Sequence, residues 1–338
     1  MSATTYIADT AEQVLAALVA TGVRVVAPVA RDGLLSFAPL APGQDAALTG
    51  QTRWSPKEAV FPRTEPLLSF RFGHAAVEMS AGHEPPEPTV LFGVRPCDAA
   101  GLAILDRVFL GEPVDAPYQA WREATTIVGL ACAEPAGDAC FCTSVGGSPT
   151  GETGSDLLLT PVDGRWLVEA LTPQGAALAA GLGDALTPGE LDKSATIAAA
   201  ADRVARRDVP LDPDALESRF TDAAWVDEAL RCLGCGTCAF ICPTCHCFDL
   251  TDEANRHGGV RRRNWDACQF GLFTLHGSGH NPRPDQGARF RQRVLHKFSY
   301  FPRRYGTPMC VGCGRCIVSC PAGMDIAEVA GALAAGGA

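Results

Sequence analysis

The apolar positions of the first two hundred residues follow two periods. VRVVAPV (23–29), GLLSFAPL (33–40), TVLFGV (89–94) and TIVGLAC (126–132) are short runs rich in branched apolar residues, which predicts strands. LLLTPVDGRWLVEA (157–170) predicts a hairpin, with Asp163-Gly164 supplying the positive φ angles of a tight turn. Helical spacing covers 10–21, 98–109, 173–182 and 213–231, and places Val14, Leu15, Leu18 and Val19 on one side of the first helix. In the last of these, Asp212 can cap the free N–H groups and Pro213 suits the first helical position. The alternation predicts an α/β (or α+β) domain over 1–210. Beyond about 211 strand signals fade, cysteine, glycine and arginine dominate, and RRDVPLDPD looks like a linker. The second domain, 211–338, is therefore expected to be α-helical.

The chain has 338 residues, enough for two well-buried cores, and 47 % of them are hydrophobic. No run of ~18 uncharged apolar residues occurs, so no membrane span is expected. The start, MSATTYIADTAEQVLAALVATG, lacks a secretory n-region and h-region and reads as an amphipathic helix, which predicts a cytoplasmic protein. Fifteen cysteines in that setting point to metal ligation rather than disulfides. The formal charge of −10 argues against nucleic acid as a partner. Between Arg256 and Gly306, however, eleven Lys/Arg face two acids, Asp266 and Asp285.

Cys232, Cys235, Cys238 and Cys242, followed by Pro243, spell C-x2-C-x2-C-x3-C-P, and Cys310, Cys313, Cys316, Cys320 and Pro321 spell it again. This run suits a [4Fe–4S] cube: three cysteines on a glycine-bearing loop hold one cluster, and the fourth reaches the other. Cys232, Cys235 and Cys238 are accordingly paired with Cys320, and Cys310, Cys313 and Cys316 with Cys242. The alternatives are zinc sites with four cysteines, which usually show two separated C-x2-C pairs, or plain buried thiols. Two close cubes pass electrons to each other, and their negative charge calls for N–H donors and cations. The 67 residues between Cys242 and Cys310 contain the basic stretch, which either supplies those cations or forms a solvated or partner-facing patch. The gap and its helical flanks fit an α-helical dicluster ferredoxin-like module.

Seven cysteines remain. Cys97 follows a strand and opens a helix, where the dipole favours a thiolate. Cys132 ends a strand, and Cys140 and Cys142 fall in the next loop. These four either hold a third [4Fe–4S] cluster or are structural thiols. Cys245, Cys247 and Cys268 either form a separate metal site with His246, His276 or His280, or line the shell around the cubes. GGSPTGETG (146–154) lacks the G-K-[ST] ending of a phosphate loop and reads as a surface loop, and no G-x-G-x-x-G opens a helix after a strand. No flavin or NAD site is therefore expected in this chain. Arg95 and Asp98 are read as a structural ion pair or as serving a cluster, without a catalytic role.

WDACQFGLFT, GHNPRP and RFRQRVLHKFSY, with GVRPCDAAGLAILD and ACAEPAGDACFCTSVGG, resemble the β subunit of cytosolic sulfhydrogenases together with the corresponding iron–sulfur subunit of anaerobic sulfite reductase. The resemblance spans most of the chain. It implies an electron-transfer subunit of an oxidoreductase that is not catalytic alone. Such a chain relays electrons from or to a reductase subunit that binds flavin/NAD(P), with a catalytic subunit of hydrogenase or sulfur/sulfite-reducing type at the other end. Two other readings stay open: a small-molecule redox site of its own at a third cluster, or a free ferredoxin-type carrier.

Overall fold

The computed structural model describes residues 4–336 apart from 42, 83–84 and 206–208. Arg206, Arg207 and Asp208 of the expected linker lie outside the described residues. The strands are β1 (Thr4–Ala8), β2 (Arg24–Arg31), β3 (Leu34–Pro39), β4 (Thr64–Phe72), β5 (Val77–Ala81) and β6 (Thr89–Val94). They continue with β7 (Thr125–Leu130), β8 (Leu157–Val162), β9 (Arg165–Ala170), β10 (Thr187–Pro188), β11 (Phe248–Asn255) and β12 (Gly258–Trp265). The helices are α1 (Ala11–Ala20), α2 (Pro96–Phe109), α3 (Ala116–Glu123), α4 (Pro173–Ala180), α5 (Ser194–Ala205) and α6 (Pro213–Ser218). After them come α7 (Ala224–Ala229), α8 (Thr237–Phe240), α9 (Gln286–Leu295), α10 (Phe301–Tyr305), α11 (Arg315–Val318) and α12 (Ile326–Ala334).

Eight strands form one mixed sheet in the order β10-β1-β9-β8-β7-β6-β2-β3. Its centre, β2, β6, β7 and β8, is parallel. Strands buried on both faces need apolar residues at every position, which is why β2 and β6 are continuous apolar runs. One face packs Val14 and Leu18 of α1 against Val25, Phe92, Val128 and Leu159. The other packs Leu102 and Leu105 of α2 and Tyr118 of α3 against Leu91 and Ile127. Asp163 and Gly164 make the expected hairpin turn with φ of 49° and 78°. The carboxyl ends of β6 and β7 lead directly to Cys97 and Cys132, the end of a parallel sheet where ligands bind.

Three expectations are corrected. The first described residues form β1, paired with β9, so the opening stretch is a strand before its helix, and Val19 is exposed. The single helix over 213–231 is broken into α6 and α7. Asp212 caps the first as expected, but Asp222 accepts from the Ala224 N–H and starts the second. The cysteine-rich half is not helical throughout. The β11–β12 hairpin docks on β4 in a second sheet of order β11-β12-β4-β5, so the two halves of the chain share a sheet.

That join is buttressed where Arg263 of β12 faces Glu65 of β4, both 2 % exposed, at 2.5 Å. Arg263 also donates to Asp115, the cap of α3. A second buried pair links α2 to α11: Arg315 donates to both oxygens of Asp98 at 2.6 Å. Arg95 does not pair with Asp98, and donates instead to the carbonyls of Leu48 and Gly50. The helices of the second half close around Leu216, Trp225, Phe290, Val294, Phe298 and Ile326.

Candidate iron–sulfur site

The two cysteine motifs adopt one conformation twice. Gly234 and Gly236 have φ of 64° and 73°, and Gly312 and Gly314 have 62° and 72°. Glycine alone takes this region without strain, and at Gly236 and Gly314 a Cβ would also strike Phe270 and Ala139. Each loop then turns into one short helix, α8 or α11, beyond which lies the fourth cysteine.

Cys232, Cys235 and Cys238 wall one cavity together with Cys320 and Cys316. Cys310, Cys313 and Cys316 sit near Cys242 in the interior, close enough to feel its charge. Burial, first of all, pushes these three thiols up to about 11, 12 and 12. Among the described residues no three His, Cys, Asp or Glu side chains are placed to hold a single metal ion. The thiols line cavities instead of converging on a point, an arrangement that suits a multi-iron cube.

The basic stretch sends two cations toward the cysteines. Arg293 and Lys297 are 4 % and 3 % exposed, and Lys57 joins them from the other half at 2 %. Arg293 donates to the Cys238 carbonyl at 3.1 Å and approaches Cys245 Sγ at 3.6 Å. Lys297 Nζ lies 3.4 Å from Cys242 Sγ and 3.0 Å from Thr244 Oγ1. Lys57 Nζ donates to the Ala239 and Cys245 carbonyls. Burial lowers its pKa to about 8, against the pull of the nearby thiols. None of the three forms a carboxylate ion pair among the described residues. Buried charge without a counter-charge is prohibitive, so the compensating charge must come from thiolates and what they bind. This is the donor chemistry that anionic [4Fe–4S] cubes require. Other arginines of the stretch face outward: Arg261 and Arg262 pair with Asp252 and Glu253 on the hairpin surface.

Cys97, Cys132, Cys140 and Cys142 also come together. All four line one cavity, closed by Arg95, Pro149 and, from the second motif, Gly312 and Cys313. The Cys97 helix dipole does not prevail: burial, with Asp98 beside it, raises that thiol well above its usual range. GGSPTGETG is not simply a surface loop. Pro149 and Thr150 are buried, and the Pro149 carbonyl accepts from the Cys132 N–H at 2.8 Å.

Cys245 lies against Cys242, whose thiolate is favoured first by a hydrogen bond from Cys245 and then by Lys297 and Arg293. Cys268 is lowered to about 6, chiefly because the neighbouring Cys247 thiol donates to it. Gln269 connects this pair to Cys232, donating to Cys268 Sγ at 3.6 Å and accepting through its oxygen near Cys232 Sγ. His246 is anchored on the Thr244 carbonyl, and burial lowers it to about 4. His276 and His280 sit on an exposed turn against each other. Sequence reasoning missed Lys57, Thr244, Gln269 and Gln286. Only the CPT run around Thr244 and the Q-rich flank of the basic stretch lay near a motif.

No helix among the described residues is long and apolar enough to cross a membrane. The 4Fe-4S dicluster domain family matches residues 231–324, which span both motifs. The sulfhydrogenase 2 subunit beta of Pyrococcus furiosus is 34 % identical over 246 residues, covering 71 % of this chain and 72 % of that protein. The repeated glycine-cysteine loops, the buried cations facing them and this similarity agree: the chain belongs to the sulfhydrogenase β-subunit family of 4Fe-4S dicluster proteins, iron–sulfur oxidoreductase components that transfer electrons.

Proposed function

We propose that the chain is the relay subunit of a hydrogenase-type complex, carrying single electrons through three [4Fe–4S] cubes. The wire joins a reductase subunit that binds flavin/NAD(P) to a catalytic subunit. In this reading Cys232, Cys235, Cys238 and Cys320 hold the first cube, Cys242, Cys310, Cys313 and Cys316 the second, and Cys97, Cys132, Cys140 and Cys142 the third. When bound, the cubes supply the one-electron steps, with potentials set by charge, hydrogen bonds and exposure. The observation that carries the reading is the position of one loop. Cys316 reaches the wall of the first cavity and Cys313 the wall of the third, so the 310–316 loop lies between them. The second site is the middle of a line.

The chain's own residues do no bond-making chemistry. The thiolates hold iron, Arg293, Lys297 and Lys57 offset the buried negative charge, and Phe290, Met324 and Ile326 wall off water from the first cavity. Cys235 is exposed and Leu233 beside it is 70 % exposed, which makes the first site the natural point of contact with a redox partner. The name of the Pyrococcus relative favours a hydrogenase over a sulfite-reducing partner. A second reading rests on a cavity of about 310 Å³ lined by Cys97, Cys142, Cys310, Arg107, Gly147 and Gly151. A small redox substrate entering there would meet the third site directly.

The test is made on anaerobically purified chain. About twelve iron atoms per chain are expected for three cubes, with reversible bleaching of the visible absorption by a low-potential reductant. The isolated chain is expected to exchange electrons with an artificial dye but to turn over neither hydrogen nor NAD(P)H. Turnover by the isolated chain would overturn the relay reading in favour of a substrate site, and about eight irons would remove the third cube.

A further inference from the structure

The middle site is the most deeply enclosed part of the proposed wire, and enclosure opposes reduction. A cube gains negative charge when it takes an electron, and a low dielectric disfavours that charge. Two thiols of the first motif sit beside neutral groups: Gln286 Nε2 lies 3.2 Å from Cys232 Sγ, and Thr237 Oγ1 lies 3.4 Å from Cys235 Sγ. Arg293 is near thiols of both groups, Cys238 of the first and Cys316 and Cys242 of the middle one. In the middle site a cation donates directly to a sulfur, Lys297 to Cys242, as Arg95 does to Cys132 in the third.

That contact depends on an unusual piece of backbone. After α9 the chain makes a π-helical turn, His296–Tyr300, in which the Phe301 N–H returns to the His296 carbonyl five residues back. Isolated π turns occur mostly where a helix must serve a site, and the extra residue rotates the next turn by about 100° relative to a continuing α-helix. The turn leaves the Lys297 carbonyl free to accept from the Met309 N–H at 2.9 Å, next to Cys310. From the same residue, Nζ reaches Cys242 Sγ, Thr244 Oγ1 and, at 3.4 Å, the Met309 carbonyl. One lysine therefore ties both strands of chain that bring sulfur to the middle site, and places its charge there.

We propose that Lys297, presented by this π turn, is the charge that keeps the cube held by Cys242, Cys310, Cys313 and Cys316 reducible, and so keeps the buried middle of the wire passable. Lys297 is a positioning residue and binds no iron. Its role rests on the crossed-ligand reading proposed for the three cubes.

The test is a redox titration of the iron-loaded protein followed by electron paramagnetic resonance, comparing wild type, Lys297→Met and Lys297→Arg. The middle cube is identified as the dicluster signal that survives Cys320→Ala. In Lys297→Met the equilibrium constant for reducing that cube is expected to fall on the order of tenfold or more, which is about 59 mV for a one-electron couple. The other cubes should move much less, and Lys297→Arg should restore most of the loss. Equal shifts in all cubes, or no shift, with iron content unchanged would overturn the proposal. A measurement on the unaltered protein covers the case in which Lys297→Met loses iron. With ¹⁵N-lysine incorporated, the reduced middle cube should show a nitrogen coupling that the first cube lacks, and absence of that coupling overturns the proposal. Fewer than about eight irons in wild type would instead overturn the two-cube reading beneath it.

Discussion

Replacing Cys320 with alanine is expected to remove the cube next to the other motif, not the cube next to its own. Cys320 lies past the short helix α11, and its side chain joins Cys232, Cys235 and Cys238 around one cavity. Of its own motif, Cys316 also lines that cavity, whereas Cys313 lines the cavity of the third group of thiols and lies near Cys242. Iron content should therefore drop by about four atoms per chain, and the lost resonance should be that of the more exposed cube. Electron transfer to a redox partner should fall with it. Cys320 is a cleaner probe than Cys242, because Cys245 lies against Cys242 and offers a substitute sulfur. If Cys320→Ala and Cys310→Ala abolish the same cube, each motif binds its own cluster and the crossed arrangement is wrong.

The largest expected loss of stability follows from Arg315→Met. Arg315 is 2 % exposed and donates to Asp98 twice and to Thr52 twice, through its carbonyl and its hydroxyl. Asp98 is fully buried, so removing its partner strands a carboxylate away from water. Breaking a buried pair from one side costs about 3–5 kcal/mol, a large part of the roughly 5–15 kcal/mol that keeps a typical domain folded. The loss should also reach the metal sites, since Asp98 follows Cys97 and Arg315 precedes Cys316. The readout is guanidinium unfolding of the iron-loaded protein, followed by fluorescence and by visible absorption. The double variant Arg315→Met/Asp98→Asn should recover part of the deficit, because the orphan charge is gone. A loss below about 1 kcal/mol in the single variant would show that the pair is solvated or replaceable.

The parts of this molecule legible in its sequence are those with a local physical cause. The parallel strands were readable because burial on both faces forces unbroken apolar runs, and the Asp163-Gly164 turn because its φ angles need such residues. The cysteine motifs were readable because loop geometry fixes their spacing. Even the convergence of Cys97, Cys132, Cys140 and Cys142 followed from strand ends of one parallel sheet. The β11–β12 hairpin was not readable. Its first strand is exposed almost throughout, so no apolar alternation marks it. It is held by cross-strand pairs such as Asp252 with Arg261, and by β4 some two hundred residues away in sequence. Lys57, Arg293 and Lys297 were hidden for a related reason. Charged side chains are rarely buried, and nothing local distinguishes an inward lysine from an outward one. Their burial has a cause only when the anionic centre they face is taken into account.

The wire stands or falls on where iron sits relative to these thiols. The most direct measurement is anomalous diffraction at the iron edge from crystals of the anaerobically purified, iron-loaded chain. Three separate peaks are expected, enclosed by Cys232, Cys235, Cys238 and Cys320, by Cys242, Cys310, Cys313 and Cys316, and by Cys97, Cys132, Cys140 and Cys142, with the second peak between the other two. Peaks that keep each motif's four cysteines together, or a zinc-edge signal in place of an iron one, would contradict the crossed three-cube arrangement.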